Sequence, residues 1–550
     1  MTATVAGPVR RTPPEARGPE GADAGAVRLL RFALRRDRVR IAVWALSVGG
    51  LLGYFVVALP TVYPDAASRQ TRAAIMAEPS GAFLGGPRYG LDDYTLGVMV
   101  ANEMLGMLAV AAALMSIFLV VRRTRAEEES GRADLVRAGA VGRRAPLTAA
   151  LGDVLVADVV VGTAVVLALL GAGLAAADSV AVGAGIALVG AVFGALAGVT
   201  SQVTQHARVA SGTAGALLGL AYVLRGIGDA REVGGSALSW ASPVGWVQQT
   251  RAFVDLRWWP LALCAVLALA LTGVAYALVH RRDVGAGMLA TRAGRAHARA
   301  ALVSPFGLAV RLGRGGLLGW AAGLGAFGLL TGSLAESEVA SFEARPELAE
   351  LVAGGGGGDL ARATVSAFLS FFAMAVVVQA VVSVHHLRRE EAEGRAAGVL
   401  ACGVSRTAWL GQHLLATLAG SVLLLLVTGL ALGVGAAGSL GDPGLVGELT
   451  LASLAYVPVL ACFTGLAVLA YGLGAPTWGV WVVLVGSVVV GIYGPLLDLP
   501  RAVLDAAPFG LVPAVPEAPL DVAPLAWMAA VAFALTAAGA AAFRRRDLVA

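Results

Sequence analysis

The feature that most constrains this chain is a succession of apolar segments, each near the roughly 20 residues a helix needs to cross a bilayer. They fall near 41–60, 97–121, 148–175, 179–200, 209–228 and 258–280. A second set falls near 315–335, 364–386, 408–435, 447–472, 476–497 and 523–543. A water-soluble fold would have to bury all of them at once. Only 14% of the 550 residues are charged and 58% are hydrophobic, too little charge to cover a soluble surface of that size. The expected fold class is an all-α polytopic membrane protein with about twelve transmembrane helices.

Arginine placement gives a separate reading of topology. The chain has no lysine, so all 41 basic residues are arginine. With the N-terminus inside and twelve alternating spans, 31 arginines fall on the inner side and 10 on the outer. Such asymmetry sets orientation, and both termini are expected in the cytoplasm. Residues 1–26 are rich in Pro, Gly, Ala and charge and read as a disordered tail. Residues 27–40, "VRLLRFALRRDRVR", read either as a basic helix at the membrane interface or as a charged extension of the first span. Cys264, Cys402 and Cys462 show no pair spacing, and the six histidines no ligand spacing. No metal and no catalytic grouping is expected.

The chain reads as a duplication. With an offset of 263 residues, Glu127, Glu128, Gly131 and Arg132 meet Glu390, Glu391, Gly394 and Arg395. Identity holds at 13 of the 28 positions from 121 onward. Farther on, "SPVG" at 242–245 meets "APFG" at 507–510, and "RRDV" at 281–284 meets "RRDL" at 545–548. Six spans per copy is an even number, so the copies would insert in the same direction, as parallel repeats. The expected halves are 27–300 and 301–550.

In both copies the charged cluster follows the second span. Read as a helix, it sets Glu128 four residues before Arg132, and Glu391 four before Arg395, so each pair can meet on one face. Gly139 and Gly403 stand where a helix C-cap would. A loop that only fixed topology would need arginine, but not paired glutamates and a Gly-Arg at a fixed offset. The cluster therefore reads as a docking surface.

Other polar residues lie within the apolar segments. Glu103, Asp153 and Asp158 fall in spans, and Arg225 stands at a depth where it could pair with Glu103. Buried membrane charges are costly; these serve helix packing or line a substrate path. Trp240, Pro243 and Trp246 lie in an aromatic stretch before the sixth span, expected as a short re-entrant helix acting as an outer gate or an interfacial anchor.

The stretches "RAEEESGRADLVRAGAVGRR", "VLRGIGD", "LSWASPVGWVQQTRAF", "RWWPLAL" and "RRDVGAG" resemble the membrane permeases of type-2 ABC exporters, in particular the fused antibiotic or polyketide exporter permeases of actinobacteria. The resemblance covers nearly the whole chain. It implies that each charged cluster is a coupling helix that fits a groove in an ATP-binding subunit, with two such subunits per chain. In the second cluster Ala392 replaces the third glutamate and Ala397 replaces Asp134, so its contact would differ. No G-x-x-x-x-G-K-[ST] loop exists, and the glycine run 354–358 reads as a spacer. The chain is thus not expected to be an enzyme or to bind a cofactor of its own. ATP and Mg would sit in the partner. The resemblance further implies a hydrophobic small-molecule cargo, multidrug efflux, and a place in the bacterial plasma membrane. No nucleic-acid partner is expected. Two rivals remain: an ion-coupled secondary transporter of six-plus-six topology, and a membrane enzyme or scaffold. Charge reversal at Glu128 with Glu391 is expected to uncouple transport.

Overall fold

In a computed structural model of the chain, the described residues are 19–283, 285–288, 296–297, 302, 304–343, 359–493, 500 and 507–547. The glycine run 354–358 and most of the expected N-terminal tail lie outside them. The chain divides into two compact units, Met1–Ala293 and Gly294–Ala550.

The first unit opens on α1 (Ala26–Val62), in which the basic residues 27–40 and the apolar residues 41–60 form one continuous helix. Short helices α2 (Ala66–Ala77) and α3 (Pro79–Leu84) lead into the second span. That span begins with one α-turn (Leu96–Met99), passes through a π-helical segment (Val100–Met104) and continues as α4 (Leu105–Arg123). Two short helices, α5 (Arg125–Glu129) and α6 (Arg132–Arg137), carry the charged cluster. Spans α7 (Ala145–Gly171), α8 (Ala176–Val203) and α9 (Ala207–Arg231) follow. The small helix α10 (Pro243–Gln248) precedes the sixth span, α11 (Trp259–Arg281).

The second unit has α12 (Pro305–Ser333), the short α13 (Ala335–Glu343) and α14 (Leu360–Ala392). After these come α15 (Arg395–Ala401) and α16 (Arg406–Leu440). The next span, α17 (Gly444–Gly472), tightens to a 3-10 turn at Ser453–Tyr456 just before Pro458. The tighter turn suits a proline, which has no N–H to donate to the helix. Last come α18 (Trp478–Tyr493) and α19 (Val522–Arg545).

Eleven helices among the described residues are long and apolar enough to span a membrane. The twelfth apolar segment gives α18, helical over the 16 described residues Trp478–Tyr493; residues 494–497 of that segment lie outside those described. This is a polytopic all-α membrane protein. Its helices differ in role. About two thirds of the most apolar stretch of α4 and of α8 is buried, against 11% for α12. The buried helices are the pillars of their units. The others turn leucine, valine and phenylalanine outward, where acyl chains replace water.

Where helices approach most closely, glycines face each other. A Cβ on Gly162 of α7 would lie 2.6 Å from the carbonyl oxygen of Gly183 on α8, and Gly472 and Gly539 meet in the same way across α17 and α19. Lipid offers no hydrophobic drive between helices, so close backbone approach supplies the van der Waals contact instead.

Candidate functional site

The charged clusters are the most elaborately bonded parts of both units. Each is broken by a glycine rather than being the single short helix expected from sequence: in the first unit into the short helices α5 and α6, in the second between the end of the long α14 and the short α15. Gly131 takes φ +72° between α5 and α6, and Gly394 takes φ +73° between α14 and α15. That left-handed backbone is open to glycine and strained for other residues. The break also moves the ion pairs. Arg132 bonds Glu127 (Nε–Oε2 2.8 Å), not Glu128, and Arg395 bonds Glu390 (2.7 and 2.8 Å), not Glu391. The i,i+4 expectation fails because the turn at glycine brings the arginine back over the earlier glutamate. Gly403 does adopt a left-handed cap, at φ +83°, whereas α6 ends at Arg137, before Gly139.

The second glutamate of each doublet points inward, to an arginine just beyond the sixth span of its unit. Arg282 grips Glu128 with both terminal nitrogens (2.6 and 2.9 Å), and Arg125 adds a third bond at 3.0 Å. Arg546 bonds both oxygens of Glu391 (2.6 and 2.8 Å), and the Tyr471 hydroxyl donates to it at 2.7 Å. Both glutamates are nearly buried. Buried pairs of this kind are expensive to break, because the orphaned charge has no water to solvate it.

Two arginines in each unit make a second repeated set of bonds. Arg125 donates to the carbonyl of Ser201 at the end of α8 (2.6 and 3.0 Å), and Arg388 donates to that of Ala475, just past α17. Arg143 donates to the carbonyls of Val279 (2.9 Å) and Arg282, and Arg406 to that of Arg546 (2.6 Å). A helix C-terminus carries unpaired carbonyls and partial negative charge, so guanidiniums belong there. The result in each unit is a cluster tied to the ends of the fourth and sixth spans. Sequence reading aligned "RRDV" with "RRDL" but assigned Arg282 and Arg546 no role; that alignment was the signal. Arg395 is held above the ordinary arginine value by its bonds to Glu390 and Glu393, while burial lowers Arg137. Both remain cations at any working pH.

The intramembrane residues are arranged differently from expectation. Glu103 pairs with Arg72 (2.6 Å) and accepts from the Tyr94 hydroxyl (2.9 Å). Arg225 instead donates to the carbonyl of Gly85 (2.8 Å) and lies 3.4 Å from Asp229. The expected Glu103–Arg225 pair does not form: Glu103 sits in the π-helical segment, which shifts its direction off the regular helical wheel. Asp158 is fully buried on α7, where its Oδ1 bonds the Ser116 hydroxyl at 2.7 Å and its Oδ2 has no hydrogen-bond partner among the described residues. The 263-residue offset carries this pair onto Gln379 and Ser421, and those two are also hydrogen-bonded, at 2.9 Å. Asp153 lies 3.9 Å from Arg123, whose guanidinium also bonds Asp37 of α1 at 2.7 Å.

At the other end of the first unit, Trp246 donates its indole N–H to the Trp240 carbonyl (2.6 Å), and Trp240 stacks on Trp259. Pro243 starts α10, which Ser242 caps. Gln248 of α10 donates to the Gly85 carbonyl (2.7 Å) that Arg225 also binds. Arg225, Asp229 and Ser239 complete a buried network beneath this segment, with Ser239 donating to Asp229 at 2.6 Å. The aromatic stretch is therefore fixed to the helix ends by polar bonds, not merely laid upon them.

Comparison with known proteins bears on what these arrangements serve. The family model for the C-terminal domain of the multidrug efflux system permease Rv1217c matches residues 28–279 and 302–544. The multidrug efflux system permease protein Rv1217c of Mycobacterium tuberculosis (strain ATCC 25618 / H37Rv) is 39% identical over 532 residues, 95% of each chain.

Proposed function

The chain belongs to the multidrug efflux system permease family, and from that premise we propose that it is the membrane subunit of an ATP-driven ABC exporter. It moves hydrophobic, drug-like molecules out of the cell across the inner membrane. It is a transport permease; its ATP and Mg are handled by a separate nucleotide-binding subunit, two copies per chain. The two halves arose by duplication, and their arginine-rich ends face the cytoplasm.

The observation that carries this reading is the repeated division of labour within each glutamate doublet. Glu128 and Glu391 hold the cluster to the arginine after the sixth span, while Glu127 and Glu390 lie nearer the surface, bonded to Arg132 and Arg395. A partner pressing on a cluster would thus move the ends of the fourth and sixth spans with it. Closure of two ATPase subunits would draw the clusters together and switch the substrate path from inward to outward opening.

This division changes which residues test the docking role. Reversal of Glu128 and Glu391 would strike at folding. Reversal of the outer pair, Glu127→Arg with Glu390→Arg, spares the buried bonds. In cells carrying the ATP-binding subunit, the double variant is expected to reach the membrane at normal level and lose most drug export. Unchanged export would overturn the coupling role. Asp158, a buried carboxyl with a partnerless oxygen, favours the ion-coupled alternative. Export that persists without any ATP-binding partner, yet collapses with the proton gradient and in Asp158→Asn, would establish that alternative instead.

A further inference from the structure

The first unit contains a cavity, walled in part by the cluster, to which the transport reading assigns no ligand. Its volume is about 130 Å³, and it lies between the basic part of α1, the cluster α5–α6 and the ends of α7 and α11. Pockets for drug-sized ligands run to roughly 300–1,000 Å³, so this one is too small for the cargo. Its walls are of two kinds. Leu29, Phe32, Leu147 and Val279 make an apolar side that continues toward the spans. Six arginines and two glutamates make the other.

The charges do not balance. Glu128 is claimed by Arg282 and Glu127 by Arg132, while Arg123 is matched by Asp37 outside the cavity. Among the described residues, Arg143 is held only by backbone carbonyls, and Arg36 and Arg137 reach no closer than 3.7 and 3.8 Å to glutamates already bonded elsewhere. Three guanidinium charges remain over an apolar floor at the margin of the membrane-spanning helices. Phe32 is 59% exposed at this site, a bulky apolar group facing outward among the arginines of α1.

We propose that this cavity binds the phosphate headgroup of an anionic phospholipid, with Arg36, Arg137 and Arg143 on the phosphate and Leu29, Phe32, Leu147 and Val279 along the first part of the acyl chains. Guanidiniums suit phosphate because their planar N–H groups match its oxygens in pairs. A free phosphate would gain nothing from the apolar side, and a neutral headgroup nothing from the surplus charge. The bound lipid would brace α1 against the cluster.

The test is native mass spectrometry of the full chain, purified in detergent and titrated with phosphatidylglycerol. The wild type is expected to retain one phosphatidylglycerol and to bind phosphatidylcholine far more weakly. Inorganic phosphate should not displace the lipid. The double variant Arg36→Gln with Arg143→Gln should bind about thirtyfold more weakly, at roughly a fivefold loss per arginine charge. Phe32→Asp keeps the arginines and alters an exposed position, so it serves if the double variant does not fold; it should also lose the lipid. Equal phosphatidylglycerol binding in all three proteins would overturn the proposal, as would displacement by phosphate alone. Variants that keep the lipid but lose a co-purifying ATP-binding protein would overturn it too, marking the groove as a protein-docking face.

Discussion

The two charged clusters perform the same tie with different surroundings. Glu128 has Arg282, Arg125 and Arg137 within 4 Å, while Glu391 is met by Arg546 and by the hydroxyl of Tyr471. Glu129 accepts from the backbone N–H of Ala207 at 3.1 Å, at the start of α9, and lies 3.0 Å from His206. Ala392, at the matching position, cannot make that bond. The first cluster is therefore held to the fourth, fifth and sixth spans of its unit, and the second to the fourth and sixth. What both retain is the link to the sixth span. What varies is which neighbours reinforce it. The intramembrane pairs teach the same lesson: the bond between the second and third spans is kept, while its carboxyl in one unit becomes an amide on the opposite helix in the other.

Three measurements sharpen this contrast, each read as a shift in thermal unfolding of the purified protein. The largest effect is expected from Arg546→Ala, which removes both guanidinium bonds to a buried carboxylate and should cost about 3–5 kcal/mol. Arg282→Ala should cost less, because Arg125 and Arg137 still face Glu128. A larger loss from Arg282→Ala would break the comparison. An intermediate effect, about 1–3 kcal/mol, is expected from Ser116→Ala, which strips Asp158 of its hydrogen bond. Ser421→Ala should cost less, since Gln379 keeps its bond to Ser383. Were the order reversed, the two pairs would not be equivalent. The smallest effect, about 1 kcal/mol, is expected from Glu129→Ala, which removes a cap-like bond at α9. Glu introduced at Ala392 should give no matching gain in the second unit.

Much of this architecture was legible in the apolar runs, because bilayer thickness fixes helix length regardless of tertiary detail. The exceptions have local causes. The doublets Glu127–Glu128 and Glu390–Glu391 were found by repetition, yet their partners were assigned by helical spacing. Helical spacing fails at Gly131 and Gly394, where the backbone turns left-handed. Arg282 lies 154 residues from Glu128. No periodicity reveals which helix end will stand beside another; that depends on packing between spans. Glu103 shows the same limit, since depth along a helix is countable but the neighbour at that depth is not.

The π-helical segment at Val100–Met104 has a consequence of a different kind. A π turn bonds i to i+5 and so holds one residue more than an α turn. Removing one residue there would leave a well-formed α-helix, so the span itself would lose nothing. Everything N-terminal to it would rotate by about 100° against α4, swinging the preceding turn and loop away from their present neighbours. What the extra residue secures is therefore an arrangement of side chains, not a helix.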